Sequence, residues 1–164
     1  MDHLVLPATE EHFEGWHAAL DSVARERIYL AFLEAPPLAE FGKFVLGNLR
    51  AGRPQFVAMV GGRVVGWCDI TSLNRPAFAH SGVLGMGVID GYRSRGIGHA
   101  LIQAALNRAR EIRLTRVELT VREANRRAMS LYGKTGFVME GVKRRGVRVD
   151  GKYEDLYCMG LLLE

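Results

Sequence analysis

The sequence predicts a mixed α/β fold built around one βαβ unit. Three observations predict it. Short apolar runs bounded by turn residues alternate with stretches whose apolar residues recur at helical spacing. One such run, Ser81 to Ile89, passes through a Gly- and Arg-rich turn into the strongest helical pattern of the chain. The chain then closes on two long strand patterns joined by Asp150-Gly151, a strong hairpin turn. The expected element order is β-α-α-β-β-β-α-β-α-β-β, with about four helices flanking the sheet. With 164 residues, a single domain over 1–164 with one sizeable core is expected.

Each element has its basis in local chemistry. His3 to Leu6 forms a short strand pattern closed by Pro7. Thr9 suits an N-cap, with Glu10 and Glu11 in the first turn, and Phe13, Trp16, Leu20 and Val23 mark a helix over Glu10 to Ala24. Arg25 to Ala35 is ambiguous: it carries Ile28, Tyr29, Phe32 and Leu33, then Glu34, and ends at Pro36-Pro37. Phe41, Val45 and Leu49 define a second helix, Leu38 to Leu49, which Gly52-Arg53-Pro54 separates from the next strand pattern. Gln55 to Val60 and Arg63 to Thr71 form a hairpin pattern around Gly61-Gly62. After a loop over Ser72 to Ala79 comes the central strand, Ser81 to Ile89. A helix over Gly96 to Arg113 carries the apolar stripe Ile97, Leu101, Ala104, Ala105 and Ile112. Thr115 to Val121 is a strand pattern, Asn125 caps a helix that Gly136 ends, and Phe137 to Val149 and Lys152 to Leu163 are the closing strands.

Composition narrows the class. Apolar residues make up 48% of the chain and charged ones 24%, an ordinary globular balance. No apolar run approaches the ~20 residues of a membrane span, and the N-terminus shows no basic or apolar signal core. Two cysteines, Cys68 and Cys158, are too few for a disulfide framework or a zinc site, so a reducing cytoplasm is expected, with a cross-link between them left open. The net charge of +4 comes from dispersed basic residues without interleaved aromatics, which argues against nucleic acid as a partner. No His/Cys/Asp/Glu set has metal-ligand spacing, so no metal is expected.

The turn after the central strand carries the chemistry. Gly96 and Gly98 stand where a helix begins, and a helix start presents unpaired N–H groups and the positive end of the helix dipole. Glycines there let a phosphate approach the backbone, while Arg93 and Arg95 add forked donors. A Walker loop is excluded because His99-Ala100 follow Gly98 where Lys-Ser/Thr is required. A dinucleotide fingerprint lacks its third glycine, since Leu101 stands there, although Glu118 lies at a tempting distance. R-x-x-G-x-G, from Arg93 through Gly96 to Gly98, fits instead.

A second block, V-R-E-A-N-R-R-A-M-S-L-Y-G-K-T-G-F from Val121 to Phe137, is more specific. With R-x-x-G-x-G upstream, it resembles the conserved blocks of the GNAT N-acetyltransferases, matching N-x-x-A-x-x-L-Y-x-K-x-G-F at every specified position. The ending V-D-G-K-Y-E-D-L-Y-C-M is similar to bacterial phosphinothricin, amino-acid, polyamine and ribosomal-protein acetyltransferases. The resemblance covers most of the chain. It implies a twisted, mostly antiparallel sheet with one parallel, splayed strand pair. It also implies acetyl-CoA as cofactor and direct attack of a primary amine on the thioester, with no acyl-enzyme. The acceptor would be a small-molecule or peptide amine, and a homodimer would form through the C-terminal strands, whose apolar end needs cover. A non-catalytic acyl-CoA sensor on the same fold, and a dinucleotide-binding protein, stand as alternatives.

The resemblance also assigns residues. Met86, Gly87 and Val88 would meet the pantetheine arm, with Gly85 and Gly87 allowing close approach of backbone to ligand. Arg93, Ser94, Arg95, Gly96, Ile97, Gly98 and His99 would hold the pyrophosphate. Asn125 would cap its helix and bond a pantetheine amide. Tyr132 would protonate the leaving thiolate, or else pack in the core beside Ala128 and Leu131. Many relatives carry a glutamate on the central strand as general base, but Ser81 to Ile89 has no acid. Asp69 is the substitute expected here, sharing a face with Trp67 by alternation, or it only caps a strand end. His80, Glu34 and Glu118 are further candidates for the base. Trp67, Phe32, Tyr29 and Glu34 would shape the acceptor pocket.

Overall fold

A computed structural model of the chain describes residues 2–164. Its elements are β1 (Leu4–Pro7), α1 (Phe13–Ala24), α2 (Leu38–Arg50), β2 (Gln55–Val60), β3 (Arg63–Ser72), β4 (Ser81–Val88), α3 (Ile97–Glu111), β5 (Arg116–Arg122), α4 (Arg126–Thr135), β6 (Val138–Val149) and β7 (Lys152–Leu162). The expected order is present throughout. The helix after Thr9 opens as a 3-10 turn, Glu10–His12, in which the Thr9 N–H donates to His12 Nδ1 at 3.0 Å. Asn125 caps α4, and Gly136 ends it in the left-handed region at φ 108°.

The seven strands form one sheet in the order β1-β2-β3-β4-β5-β7-β6. Every neighbouring pair is antiparallel except β4 and β5. That parallel pair is short: only Ser81, Gly82 and Val83 align with Arg116, Val117 and Glu118. Beyond it, β4 stays on β3 as far as Val88, while β5 stays on β7 as far as Arg122. The two strands therefore part, and one backbone edge of β4 from Leu84 onward faces a gap.

The core lies on both faces of β3. Trp67, Asp69 and Thr71 face the side of α1 and α2, where Trp16, Leu20 and Phe41 pack. Gly66, Cys68 and Ile70 face the side of α3, whose Leu101 would lie 3.2 Å from a Cβ on Gly66. Being covered on both faces, β3 reads as a continuous apolar run instead of an alternating one.

Residues 25–37, ambiguous in the sequence, form neither helix nor strand. They are fastened at defined points. The Ala35 N–H donates to Asp21 Oδ1 at 2.9 Å, and His17 Nε2 lies 2.7 Å from the Pro36 carbonyl. Buried Arg122 donates to the carbonyls of Arg27 at 2.9 Å and Leu30 at 3.4 Å, and its Nε to Glu154 at 2.7 Å. Two expectations need correction. The apolar C-terminal strand finds its cover within the chain: β7 lies between β5 and β6, and Met159 and Leu163 are buried. The edges of the sheet are the short β1 and the long β6. The ligand role expected for the strand glycines meets a nearer cause at Gly87, where a Cβ would collide with the indole of Trp67 on the adjacent strand.

That contact generates a stability prediction. Gly87→Ala drives a methyl into a buried ring and is expected to cost about 1–3 kcal/mol, as overpacking does. Gly85→Ala, whose Cβ would lie 3.1 Å from an Asp69 oxygen on a more open part of the strand, is expected to cost less. Urea midpoints of the two variants measure the difference.

Candidate active site

A cleft of about 910 Å³ runs from the α1–α2 face of the sheet, past the parting of β4 and β5, to the starts of α3 and α4. It falls in the size range of small-ligand sites, roughly 300–1,000 Å³.

At one end lies the turn before α3. Gly96 takes φ 83°, a left-handed conformation that glycine adopts without strain, and Ser94 takes φ 61°. No side chain caps α3. Its first closing bond runs from the Ala100 N–H to the Gly96 carbonyl at 3.1 Å, which leaves the N–H groups of Ile97, Gly98 and His99 without an intrahelical partner. Gly98 has a packing reason as well, since a Cβ there would sit 3.0 Å from Leu131 Cδ2 on α4. Ser94, Gly96, Gly98 and His99 line the cleft, as do Met86, Gly87 and Val88. Ile97 is a core residue, so only its backbone N–H serves the turn. Arg95 is exposed and stacks at 5.5 Å over Tyr92, with no carboxylate partner among the described residues.

Arg93 departs from its expected role. Its guanidinium donates to Glu26 at 3.0 and 2.5 Å, its Nε to the Val88 carbonyl at 2.8 Å, and it lies 4.5 Å over the Tyr29 ring. With 14% of its side chain exposed, it has no free face for a phosphate. It ties the turn to residues 25–37 instead.

Across the gap, Asn125 Oδ1 accepts the Ala128 N–H at 3.3 Å, and its amide NH₂ has no partner among the described residues. Tyr132 lines the cleft and packs edge-on to Phe137 at 5.8 Å. Its burial raises the phenol pKa well above the ordinary value, with the nearby Cys68 adding to the effect. Tyr132 is therefore a core residue that also lines the cleft. Cys68 is fully buried, and burial raises its thiol pKa as well, with the charge of Asp69 adding to it. Both cysteines are free.

On the α1–α2 side, Asp69 lies mid-strand opposite Gly85 and faces the cleft. It is no strand-end cap. Burial raises its carboxyl pKa to about 7, opposed by the Gly85 backbone N–H. Trp67, Tyr29 and Phe32 line the same region. Glu34 does not: it is exposed and pairs with Arg25 at 3.4 Å. Glu118 pairs with Arg116 at 3.0 Å outside the cleft, and exposed His80 contributes only its carbonyl, to the N–H groups of Thr115 and Arg116. Phe44, Glu40 and Thr71 line the cleft without having been singled out in the sequence. Phe44 and Glu40 lie off the apolar face of α2 that Phe41 and Val45 define, so no sequence signal marks them.

The model of the acetyltransferase (GNAT) family matches residues 11–137. The chain belongs to this family. It is 34% identical over 111 residues to an L-amino acid N-acetyltransferase of Escherichia coli, covering 67% of this chain and 68% of the relative. It is 40% identical over 103 residues to the N-alpha-acetyltransferase RimI of Mycobacterium tuberculosis, covering 62% of this chain and 61% of the relative. A phosphinothricin acetyltransferase of Sinorhizobium meliloti, solved with acetyl-CoA, superposes with a TM-score of 0.93 over 99% of this chain and 89% of that one, at 19% identity. The enzyme class is therefore acetyltransferase, and the family's donor is acetyl-CoA. No helix among the described residues is long and apolar enough to cross a membrane.

The GNAT cleft contains a buried carboxyl whose ionisation weakens the fold. Asp69 ionises near 7 when folded and near 3.8 when unfolded. A raised folded pKa contributes stability that is present below the unfolded value and lost as pH rises through the folded one. Asp69→Asn removes that loss. Since the carboxyl is partly exposed, its melting free energy is expected to gain on wild type by roughly 1–3 kcal/mol between pH 5 and pH 8. Thermal unfolding at both pH values measures it.

Proposed function

We propose that this protein transfers the acetyl group of acetyl-CoA to the primary amine of a small molecule or peptide by direct attack. The single observation that carries the reading is the open edge of β4 between the uncapped start of α3 and Tyr132. The residues fit the donor. Backbone N–H groups of Gly96 to His99, with exposed Arg95, suit a pyrophosphate. The free edge at Leu84 to Val88 suits the amides of a pantetheine arm, except at the Val88 carbonyl, which Arg93 occupies. The Asn125 amide suits the same arm.

Acetyl-CoA, once bound, supplies an acetyl thioester within reach of the acceptor side. Asp69 binds the incoming ammonium and takes its proton, directly or through water; a carboxyl near 7 is poised for that task. Tyr132 holds its proton at Oη across the working pH range and gives it to the departing sulfur. Its own ionisation lies too high to limit the rate on the alkaline side. Cys68, buried with a raised pKa, is unsuited as an acyl carrier, which supports direct transfer. An acid in the cleft and a polarised phenol favour an enzyme over a sensor.

By their names, one relative acts on L-amino acids and the other is an N-alpha-acetyltransferase. Both acceptors are α-amines, and an α-amine is the acceptor proposed here. A homodimer through β6 is the assembly proposed, because that strand is the longer of the two edges, 12 residues against 4 in β1, and exposes Val138, Met139 and Val142. A reducing cytoplasm suits the two free thiols.

Three measurements test these proposals. Calorimetric titration with acetyl-CoA should show binding that Gly96→Trp abolishes; a variant with full affinity would remove the turn from the donor site. Tyr132→Phe should lower kcat roughly 100-fold with acetyl-CoA affinity within a few-fold, and Asp69→Asn should erase the rise in kcat/KM through pH 7. Light scattering at micromolar concentration should give twice the chain mass, and a single-chain mass would rule out the dimer.

A further inference from the structure

The cleft is chemically divided by the sheet. Its lining cations unpaired among the described residues, Arg127 and Lys134, belong to α4, on the donor side. On the α1–α2 side the wall is apolar, with Trp16, Phe32, Phe41, Phe44 and Trp67. Phe32 and Phe44 are each 51% exposed, an unusual state for two phenyl rings at one mouth. The charged groups there, Arg93 apart, are acids: Asp69 on the sheet and Glu40 in the exposed first turn of α2, beside the hydroxyls of Thr71 and Tyr29. Arg93 reaches this side, but its charge is paired with Glu26, three of its N–H groups are engaged by Glu26 and the Val88 carbonyl, and the Tyr29 ring covers one face. Arg75, on the β3–β4 loop, does not line the cleft.

An α-amino acid brings an ammonium and a carboxylate one carbon apart. If its ammonium meets Asp69, its carboxylate enters a region with aromatic walls, a second acid and no available cation. Desolvation without a partner and like-charge repulsion both oppose that placement. An uncharged group at the same carbon meets neither cost, and a bulky apolar side chain covers Phe32 and Phe44.

We infer that the acceptor is an apolar amine without a neighbouring carboxylate, namely an aminoacyl amide such as the first residue of a peptide with a large apolar side chain, in preference to a free amino acid. Glu40 is the residue that enforces the choice. The inference rests on the acetyltransferase reading above and narrows its acceptor.

The test compares L-phenylalaninamide, 2-phenylethylamine and L-phenylalanine as acceptors, at equal concentrations of free amine, by thiol release from acetyl-CoA. The amide and the amine are expected to exceed phenylalanine in kcat/KM by roughly 10–100-fold, the scale of an uncompensated like-charge contact. Glu40→Arg, a change at an exposed position, is expected to narrow that gap about tenfold by supplying the missing cation. Phenylalanine equal to or better than its amide overturns the inference and leaves the acetyltransferase reading intact. A gap unchanged in E40R overturns the role of Glu40. No transfer to any of the three overturns the inference whatever the acetyl-CoA affinity, and loss of that affinity as well overturns the parent reading.

Discussion

Three residue pairs hold β4 to β5, and the rest of the site depends on their being only three. A full parallel ladder would close the sheet and consume the edge of β4. Instead each strand runs along a different antiparallel partner, β3 on one side and β7 on the other. The right-handed twist of those ladders carries the strands apart. The gap gives the donor side of the sheet a passage to the acceptor side. It also explains why Tyr132, from α4, and Asp69, from β3, line one cleft although they belong to opposite faces.

Two arginines give the irregular 25–37 segment its shape. Arg122, buried in β5, binds the carbonyls of Arg27 and Leu30, and Arg93 binds Glu26 and stacks on Tyr29. Charge-assisted bonds of this kind do for loop carbonyls what a ladder does for a strand. The acceptor wall is thus positioned by groups that never touch the acceptor. Arg93 further links that wall to the turn before α3, so the two ends of the cleft share one side chain.

The secondary structure was legible because its signals are local. Thr9, Asn125, Gly136 and Asp150-Gly151 mark element ends by cap and turn chemistry, and the apolar periods between them match the packed faces in part: Leu49 of α2 is exposed, and α3 also buries Ile102, Leu106 and Ala109. The donor turn was legible for the same reason, since Gly96 needs its left-handed backbone. Pairwise geometry was not legible. Nothing in the sequence joins Glu26 to Arg93, which are 67 positions apart, so a buried ion pair looked like a phosphate ligand. Gly87 looked like a ligand contact because its Trp67 neighbour comes from another strand. Glu40 and Phe44 went unmarked because a residue off the apolar face of a helix looks solvated until another part of the chain is folded against it.

The anchoring of residues 25–37 has a consequence for how acceptor preference can change over time. Most of its fastenings sit near its ends and on its backbone: Asp21 ahead of it, Glu26 near its start, the Ala35 N–H and Pro36 carbonyl near its end, and the carbonyls of Arg27 and Leu30 within it, with the Arg27 side chain also paired to Asp150. Carbonyls are indifferent to side-chain identity. The side chains of Ile28, Ala31, Phe32 and Leu33 can therefore drift while the path of the chain is kept. The segment behaves as an interchangeable cassette on a fixed frame, and grafts between Glu26 and Ala35 that keep Tyr29 mark the natural boundary for exchanging one acceptor preference for another.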